Sequence, residues 1–483
     1  MNSPQDNHTQ NSPRLSQAEG TLNIIIILSG IVLIGLFAVI WYKSPEFSLD
    51  VPLKNQPVIF LVSILVLSGA VYLLTIRKTL NISLGKNYLL WIVAAGIVMR
   101  VLMMASTPIL EDDYFRYLWD GGVTASGINP YTYSPEDIIE ESGVPAELTR
   151  LGEDAGGVLS GINNPEVRTI YPPVAQAVFA LSYILDPFSL LTWKTILLVF
   201  DLITLALLFF TLRANRLPYS YLIIYWWNPL LVKEIFNSAH LDVLVFPFVL
   251  GALLLAAGNR YVRSVLSIAL GVGIKLWPAF LLPLILRPLL SKPKKLTAAV
   301  ILILVLLGGL FAPVYLSGLD QSTGFIAYGE RWQNNDSAFR GLIAVSELAL
   351  DALGYKTFHK YALARVLVIS LIALWIGFVT FGRRFRDDDL YKKSLFIIAF
   401  VFLVSPTQFP WYYTWLLPFL AVAPRFSLLL PTLLLPLYYL RYYLEPIGKI
   451  DVFTNVIVWI EFVPVWIFLL LEWKKSSRSR DAY

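Results

Sequence analysis

The chain's apolar residues come in long uncharged blocks, such as TLNIIIILSGIVLIGLFAVIWY at 21–42 and VIFLVSILVLSGAVYLLTI at 58–76. Blocks of this length match the thickness of a bilayer core when coiled as helix. Lipid offers the backbone no hydrogen-bond partner, so each such block must satisfy its own amides, which a helix does. Barrel strands are ruled out because they alternate apolar and polar residues over short segments. With 57% hydrophobic and 15% charged residues, the chain reads as an all-α polytopic membrane protein.

Full spans are expected near 22–42, 57–76, 88–106, 191–212, 219–237, 241–258, 296–316, 361–381, 394–408, 411–424, 426–443 and 452–472, about 12 in all. Placing the N-terminus inside puts about 22 of the 38 Lys and Arg on the cytoplasmic side, a positive-inside bias. The expected organisation is a disordered cytoplasmic tail over 1–21, one transmembrane domain over 22–472 and a basic cytoplasmic tail over 473–483. Basic residues lie between apolar runs rather than along one stripe, so they mark topology, and nucleic acid is not expected as a partner. No cysteine is present, which removes disulfides, thiolate metal sites and a cysteine nucleophile.

Two stretches do not fit as ordinary spans. PPVAQAVFALSYILDPF at 172–188 leaves room for only one crossing before the basic RANR, so it is expected to be a short helix at the outer surface. SVLSIALGVGIKLWPAFLLPLIL at 264–286 has basic residues on both sides and is too short for two spans. Two half-length helices meeting around Lys275 to Pro278 resolve it, an arrangement tolerated at membrane depth only in a protein-lined cavity. Two long loops, 107–171 and 317–340, fall outside, and the first carries 12 acids against 3 arginines. Loops of this length are commonly functional.

The first loop opens with EDDYFRYLWDGG, Glu111 to Gly122. As a helix it places Asp113, Arg116, Tyr117 and Asp120 on one face and lets Asp112 reach Arg116 four residues on. A salt-bridged helix start explains the cluster structurally; ionisable groups beside a bilayer more often serve function. GINPYTYSP follows, with Asn129 and Tyr131 in a turn that could lay an aromatic floor for a sugar ring. An interfacial aromatic belt is the bland alternative.

The series DDYFRYLWDGGVTASGINPYTY, TIYPPVAQ, NPLLVKEIFNSAHLDVL, GVGIKLWP and QFPWYYTWLLP resembles the GT-C superfamily of integral-membrane glycosyltransferases. It is most similar to bacterial polyprenyl-phosphate-mannose-dependent mannosyltransferases and to the GPI mannosyltransferase I family, across roughly residues 90 to 430. The resemblance implies a GT-C fold and an outward-facing site in a bacterial inner membrane, and the positive-inside pattern places both termini in the cytoplasm. It also implies transfer of a hexose, mannose by this likeness, from a polyprenyl phosphate to a glycolipid or cell-envelope glycan. Asp113 is similar to the superfamily's catalytic Asp. Glu111 and Asp113 match an acidic-x-acidic pattern with Glu in place of the first Asp, so a divalent metal is an open question.

From the residues themselves, such a transfer needs a carboxylate to deprotonate the acceptor hydroxyl and fixed charge to stabilise the departing phosphate. Asp113 is the first candidate base and Asp112 the second. Arg116 and Lys275 are the candidate phosphate ligands, with Arg331 and Arg340 behind them; a lysine inside an apolar run is costly unless paired or facing a cavity. His240 and Asp242, in NSAHLDVL, and Tyr171 and Gln176, around YPPVAQ, are candidate substrate contacts, with helix capping and helix initiation as their structural alternatives. No Walker loop or dinucleotide glycine fingerprint is present, which favours a lipid-linked donor. A transporter or flippase of lipid-linked sugars, and a glycan polymerase or ligase, are the competing functions.

Overall fold

The computed structural model describes residues 13–80, 84–320, 322–355 and 359–481, and every regular element among them is helical. Among the described residues, seven helices are long and apolar enough to cross a membrane: Ile24–Phe47, Val58–Thr79, Lys86–Met104, Leu190–Ala214, Pro293–Leu316, Lys360–Phe381 and Ile450–Lys475. An eighth crossing results if Pro229–Asn237 and Leu241–Ala257, bent by 103°, are counted as one span.

Of the about 12 spans expected, seven or eight are helices of full spanning length among the described residues, and the remaining apolar stretches are shorter or subdivided. The stretches expected at 394–408, 411–424 and 426–443 become the helix Leu390–Val404 followed by segments of three to five residues, from Pro410–Tyr413 to Leu440–Leu444. Pro406, Pro410, Pro418, Pro424, Pro431 and Pro436 punctuate this region. Each removes a backbone donor and crowds the preceding turn. The 219–237 run breaks at Asn228, whose side chain caps the Leu231 amide at 3.0 Å, and ends in a π-helical turn, Lys233–Asn237.

The two irregular stretches take the shapes their lengths demand. Pro173–Leu185 is a short apolar helix, and Tyr261–Val272 is followed after a break by Trp277–Leu289, with Lys275 in the break. At the ends, residues 1–12 of the expected tail lie outside the described residues. The chain is already helical from Pro13, and the helix Val458–Asp481 runs through most of the basic C-terminal segment.

Close helix contact is secured by small residues and by polar pairs shielded from lipid. A Cβ on Gly96 would lie 2.0 Å from the indole nitrogen of Trp226, so only glycine lets these helices meet. Beside it, the fully buried Arg100 donates to Asp201 at 2.5 Å and to the Trp226 carbonyl at 2.8 Å, while Tyr225 donates to the other Asp201 oxygen at 2.5 Å. This buried ion pair pins Lys86–Met104 to Leu190–Ala214.

The first loop has its own core of Trp119, Val123, Leu148, Leu151, Leu159 and Ile162. Arg168 ties it to the second loop through bonds to the Tyr131 and Ser317 carbonyls and to Asp320.

Candidate active site

The acidic stretch is set in place from below. Asn237, at the end of the π-helical turn, donates to Ser106 Oγ and the Thr107 carbonyl at 2.7 and 2.8 Å, and accepts from the Ile109 amide at 3.0 Å. The chain then turns through Leu110, which has a positive φ of 63°, and presents Glu111, Asp112 and Asp113 over the bend between Pro229–Asn237 and Leu241–Ala257. π-Helical turns inside helices frequently mark functional sites. Here the turn sets the direction in which His240 and Asp242 leave the bend.

Asp112 is the N-cap and Asp113 the first residue of the helix Asp113–Ala125. Asn163 donates to Asp112 Oδ1 at 2.5 Å and reaches Asp113 Oδ1 at 3.4 Å. Asp113 Oδ2 lies 3.6 Å from His240 Nδ1 and 3.5 Å from the Tyr117 hydroxyl. Burial, and after it the charge of Asp112, pushes the Asp113 carboxyl up to about 6, opposed by the Asn163 bond and by Lys275. Burial also raises the Asp112 and Glu111 carboxyls. Three adjacent acids in a low-dielectric setting share little charge, and Asp113 is positioned to gain or lose a proton near neutrality.

The expected Asp112–Arg116 pair does not form. Asp112 sits outside the helical turn, so four-residue spacing does not bring it to Arg116, which instead pairs with Asp120 at 3.2 Å and donates to the Val167 carbonyl. Asp120 is buried and also accepts from Thr169 at 2.5 Å and Gln176 at 3.0 Å. Asp120 and Gln176 therefore lock the acidic helix onto Pro173–Leu185 and do not line the cavity. Asn129 donates to the Pro313 carbonyl at 2.9 Å, and Tyr131 to the Tyr171 carbonyl at 2.7 Å. They brace the loop instead of flooring the site.

Above the acids opens a cavity of about 660 Å3. Glu111, Asp112, Asp113, Arg116, Tyr171 and Lys275 line it. Lys275 donates to Asp242 at 2.5 Å and lies 4.4 Å over the Tyr412 ring. Trp415 donates to the same Asp242 oxygen at 2.5 Å and stacks on Tyr412 at 4.5 Å. Asp242 is thus buried behind the wall, orienting Lys275. Glu111 accepts from Tyr442 at 3.2 Å. Among the described residues, no group of three or more His, Asp and Glu is arranged to hold a metal ion.

Several lining residues escaped the sequence reading. Asn163 and Asn164 come from an ordinary polar stretch of the first loop and carry no signal of their own. Arg365 and Arg441 were detectable, because each is a lone arginine in or beside an apolar run. Tyr328 and Trp332 of the second loop complete the lining, Tyr328 through hydroxyl bonds to Thr407 and Tyr412, both at 2.8 Å. Arg331 and Arg340 lie outside the cavity lining, and Arg340 turns to Asp336 at 3.6 Å.

The chain gathers a carboxylate, cations and stacked aromatics around one cavity, and residues 169–406 match the family model of glycosyltransferase family 87. Over that stretch the chain is similar to family 87, a GT-C-type family of membrane glycosyltransferases, in keeping with the GT-C resemblance of its motifs. No curated protein and no solved structure matches the chain. The matched stretch of the glycosyltransferase holds Asn163's neighbour segment from Thr169 onward, the bent helices, Lys275 and the second loop. Its acids Glu111, Asp112 and Asp113 lie before that stretch, so their roles rest on geometry.

Proposed function

We propose that this glycosyltransferase moves a hexose, mannose by its motif resemblance, from a polyprenyl phosphate to a glycolipid or cell-envelope glycan on the outer face of a bacterial inner membrane. The carrying observation is Asp113, a half-buried carboxylate facing an aromatic- and cation-lined cavity, with its carboxyl raised to about 6. The positive-inside pattern favours the outward side for that cavity.

In the proposed reaction the acceptor oxygen attacks the anomeric carbon as its proton passes to Asp113. The bond from that carbon to the phosphate oxygen breaks, and the polyprenyl phosphate leaves with the electron pair. Asp112 is held by Asn163, Glu111 by Tyr442 and Asp242 by Lys275 and Trp415. With the other carboxylates engaged, a single displacement with inversion is favoured over a scheme needing a second carboxylate as nucleophile. Lys275 and Arg365 supply the positive charge for the leaving phosphate.

A lipid-linked donor is supported by the wall next to these cations. Arg365, Val368 and Ile372 follow one another on a single face of Lys360–Phe381, and with Leu276, Phe280 and Val401 they give the cavity an apolar side. A prenyl chain suits such a surface, and a nucleotide does not.

The test is the purified chain in liposomes with polyprenyl-phosphate mannose and a membrane lipid extract, compared with Asp113→Asn. Mannosylated lipid from the wild type and its loss in the variant support the reading. Absence of transfer from every lipid-linked hexose tried, or an undiminished variant, overturns it. Lipid-linked sugar crossing the bilayer unaltered would establish the transporter reading.

A further inference from the structure

Behind Asp113 runs a chain of buried polar groups that the displacement above does not use. His240 Nδ1 faces Asp113 Oδ2 at 3.6 Å, and His240 Nε2 faces Glu234 Oε2 at 3.6 Å. His240 and Glu234 are fully buried, and neither imidazole nitrogen has a hydrogen-bond partner at rest. The ring stacks on Trp411 with centroids 4.0 Å apart and planes 14° from parallel, and the His240 amide is bonded to the Glu234 carbonyl at 3.1 Å. An imidazole kept only for packing ordinarily satisfies at least one nitrogen. This one is clamped edge-on between two carboxyls.

A neutral imidazole carries one donor and one acceptor. Set between two carboxyls, it can donate to one and accept from the other only if the second holds a proton. Protons on such a chain therefore move in concert rather than independently.

We infer that Glu234 stores the proton that Asp113 takes from the acceptor, delivered through His240. The inference rests on the proposed role of Asp113 as base. Before transfer, Glu234 is a carboxylate and His240 carries its proton on Nε2, facing it at 3.6 Å. Asp113 gains the acceptor proton and passes it to Nδ1, while Nε2 releases its own proton to Glu234. Asp113 is then again a carboxylate, now accepting from Nδ1–H, and the charge of the trio has risen by the one proton the acceptor lost. His240 and Glu234 act through Asp113 and are positioning residues.

Glu234 is surrounded by groups suited to holding it as a carboxylate between turnovers. Tyr439 donates to its Oε1 at 2.5 Å, and Lys233 Nζ lies 3.6 Å away while also bonding Tyr439 and, at 2.8 Å, Ser238. Asp242 and Glu111 are the further acids that bear on this cluster.

The full chain in liposomes tests this with Glu234→Gln and His240→Gln, read by single-turnover sugar transfer across pH and in H2O–D2O mixtures. Glutamine keeps the Tyr439 bond and cannot accept a proton. For Glu234→Gln the expected result is a maximal rate at least tenfold lower with donor and acceptor KM within about twofold of wild type. The acid limb of the rate should move to lower pH, because Nδ1–H is then fixed toward Asp113. The dependence of rate on deuterium fraction, curved in the wild type where two protons move, should become linear in both variants. If Glu234→Gln does not fold, His240→Gln reads the same relay from its other side. A wild-type rate in either variant, or a lower rate with unaltered pH limb and unaltered curvature, overturns the relay and leaves Glu234 as an anchor for Lys233. A wild type that transfers no sugar would instead remove the function on which the inference rests.

Discussion

Asn163 donates to Asp112 at 2.5 Å and reaches only to 3.4 Å from Asp113, so one amide separates two adjacent acids by role. Asp112 spends an oxygen on holding the first loop against the helix start. Asp113 keeps its carboxylate for the cavity and for His240. Asp113→Asn should lower the single-turnover rate by about 10² to 10⁴, the usual worth of a positioned base. Asp112→Asn, which can still bond Asn163 after an amide flip, should lower it less than about tenfold.

The raised Asp113 carboxyl has consequences of opposite sign for rate and stability. A base works deprotonated, so transfer should fall as pH drops through about 6. Asn163→Ala removes a bond that favours the charged form and should shift this limb to higher pH. For stability, a carboxyl whose value rises on folding contributes most below its unfolded value, about 4, and that contribution is lost as pH rises through about 6. At neutral pH Asp113 therefore works against the fold. Asp113→Asn should raise the thermal midpoint in detergent at pH 7 while it lowers the rate, and a fall in both would mean the carboxylate also holds the fold.

Membrane-helix blocks, the half-length pair around Lys275 and the place of Asp113 and Lys275 at one cavity were legible, because each follows from a local rule: block length, charge in an apolar run, carboxylate beside the bilayer. The misread features depended on tertiary partners. Asp112 and Arg116 have the spacing of a helical pair, but the helix starts one residue too late for Asp112 to belong to it, and Asp120 competes from the next turn. Asn129 and Tyr131 look like a sugar platform until the Pro313 and Tyr171 carbonyls are placed beside them. Hydropathy read the 394–443 region as three spans because it averages over the prolines that divide it into short helical segments.

Lys275 and Asp242 separate a structural from a functional role. Asp242 is buried, and losing Lys275 strands its charge; breaking such a pair on one side costs about 3–5 kcal/mol, less where water reaches it. Lys275→Met should therefore lower both thermal stability and transfer. Adding Asp242→Leu removes the stranded charge and should recover much of the stability, as measured by thermal unfolding, without recovering transfer. Recovery of both would show that Lys275 serves only to neutralise Asp242.

Gly121 and Gly122 are neighbours on the acidic helix with different tolerances. A Cβ at Gly121 would meet the Phe179 carbonyl oxygen at 2.5 Å, a backbone atom of Pro173–Leu185 that cannot move alone. At Gly122 the nearest atoms are side-chain carbons of Tyr183 and Leu151 at 3.2 to 3.4 Å, which can give way. Alanine favours an isolated helix over glycine by about 1 kcal/mol, so propensity alone predicts two stabilising changes. The packing predicts that Gly122→Ala is close to neutral, whereas Gly121→Ala pushes the two helices apart and carries Asp113 with it. Gly121→Ala should thus show a lower thermal midpoint and a lower maximal rate with the pH limb still near 6. A Gly121→Ala variant as stable and active as the wild type would mean that the helix contact does not position the base.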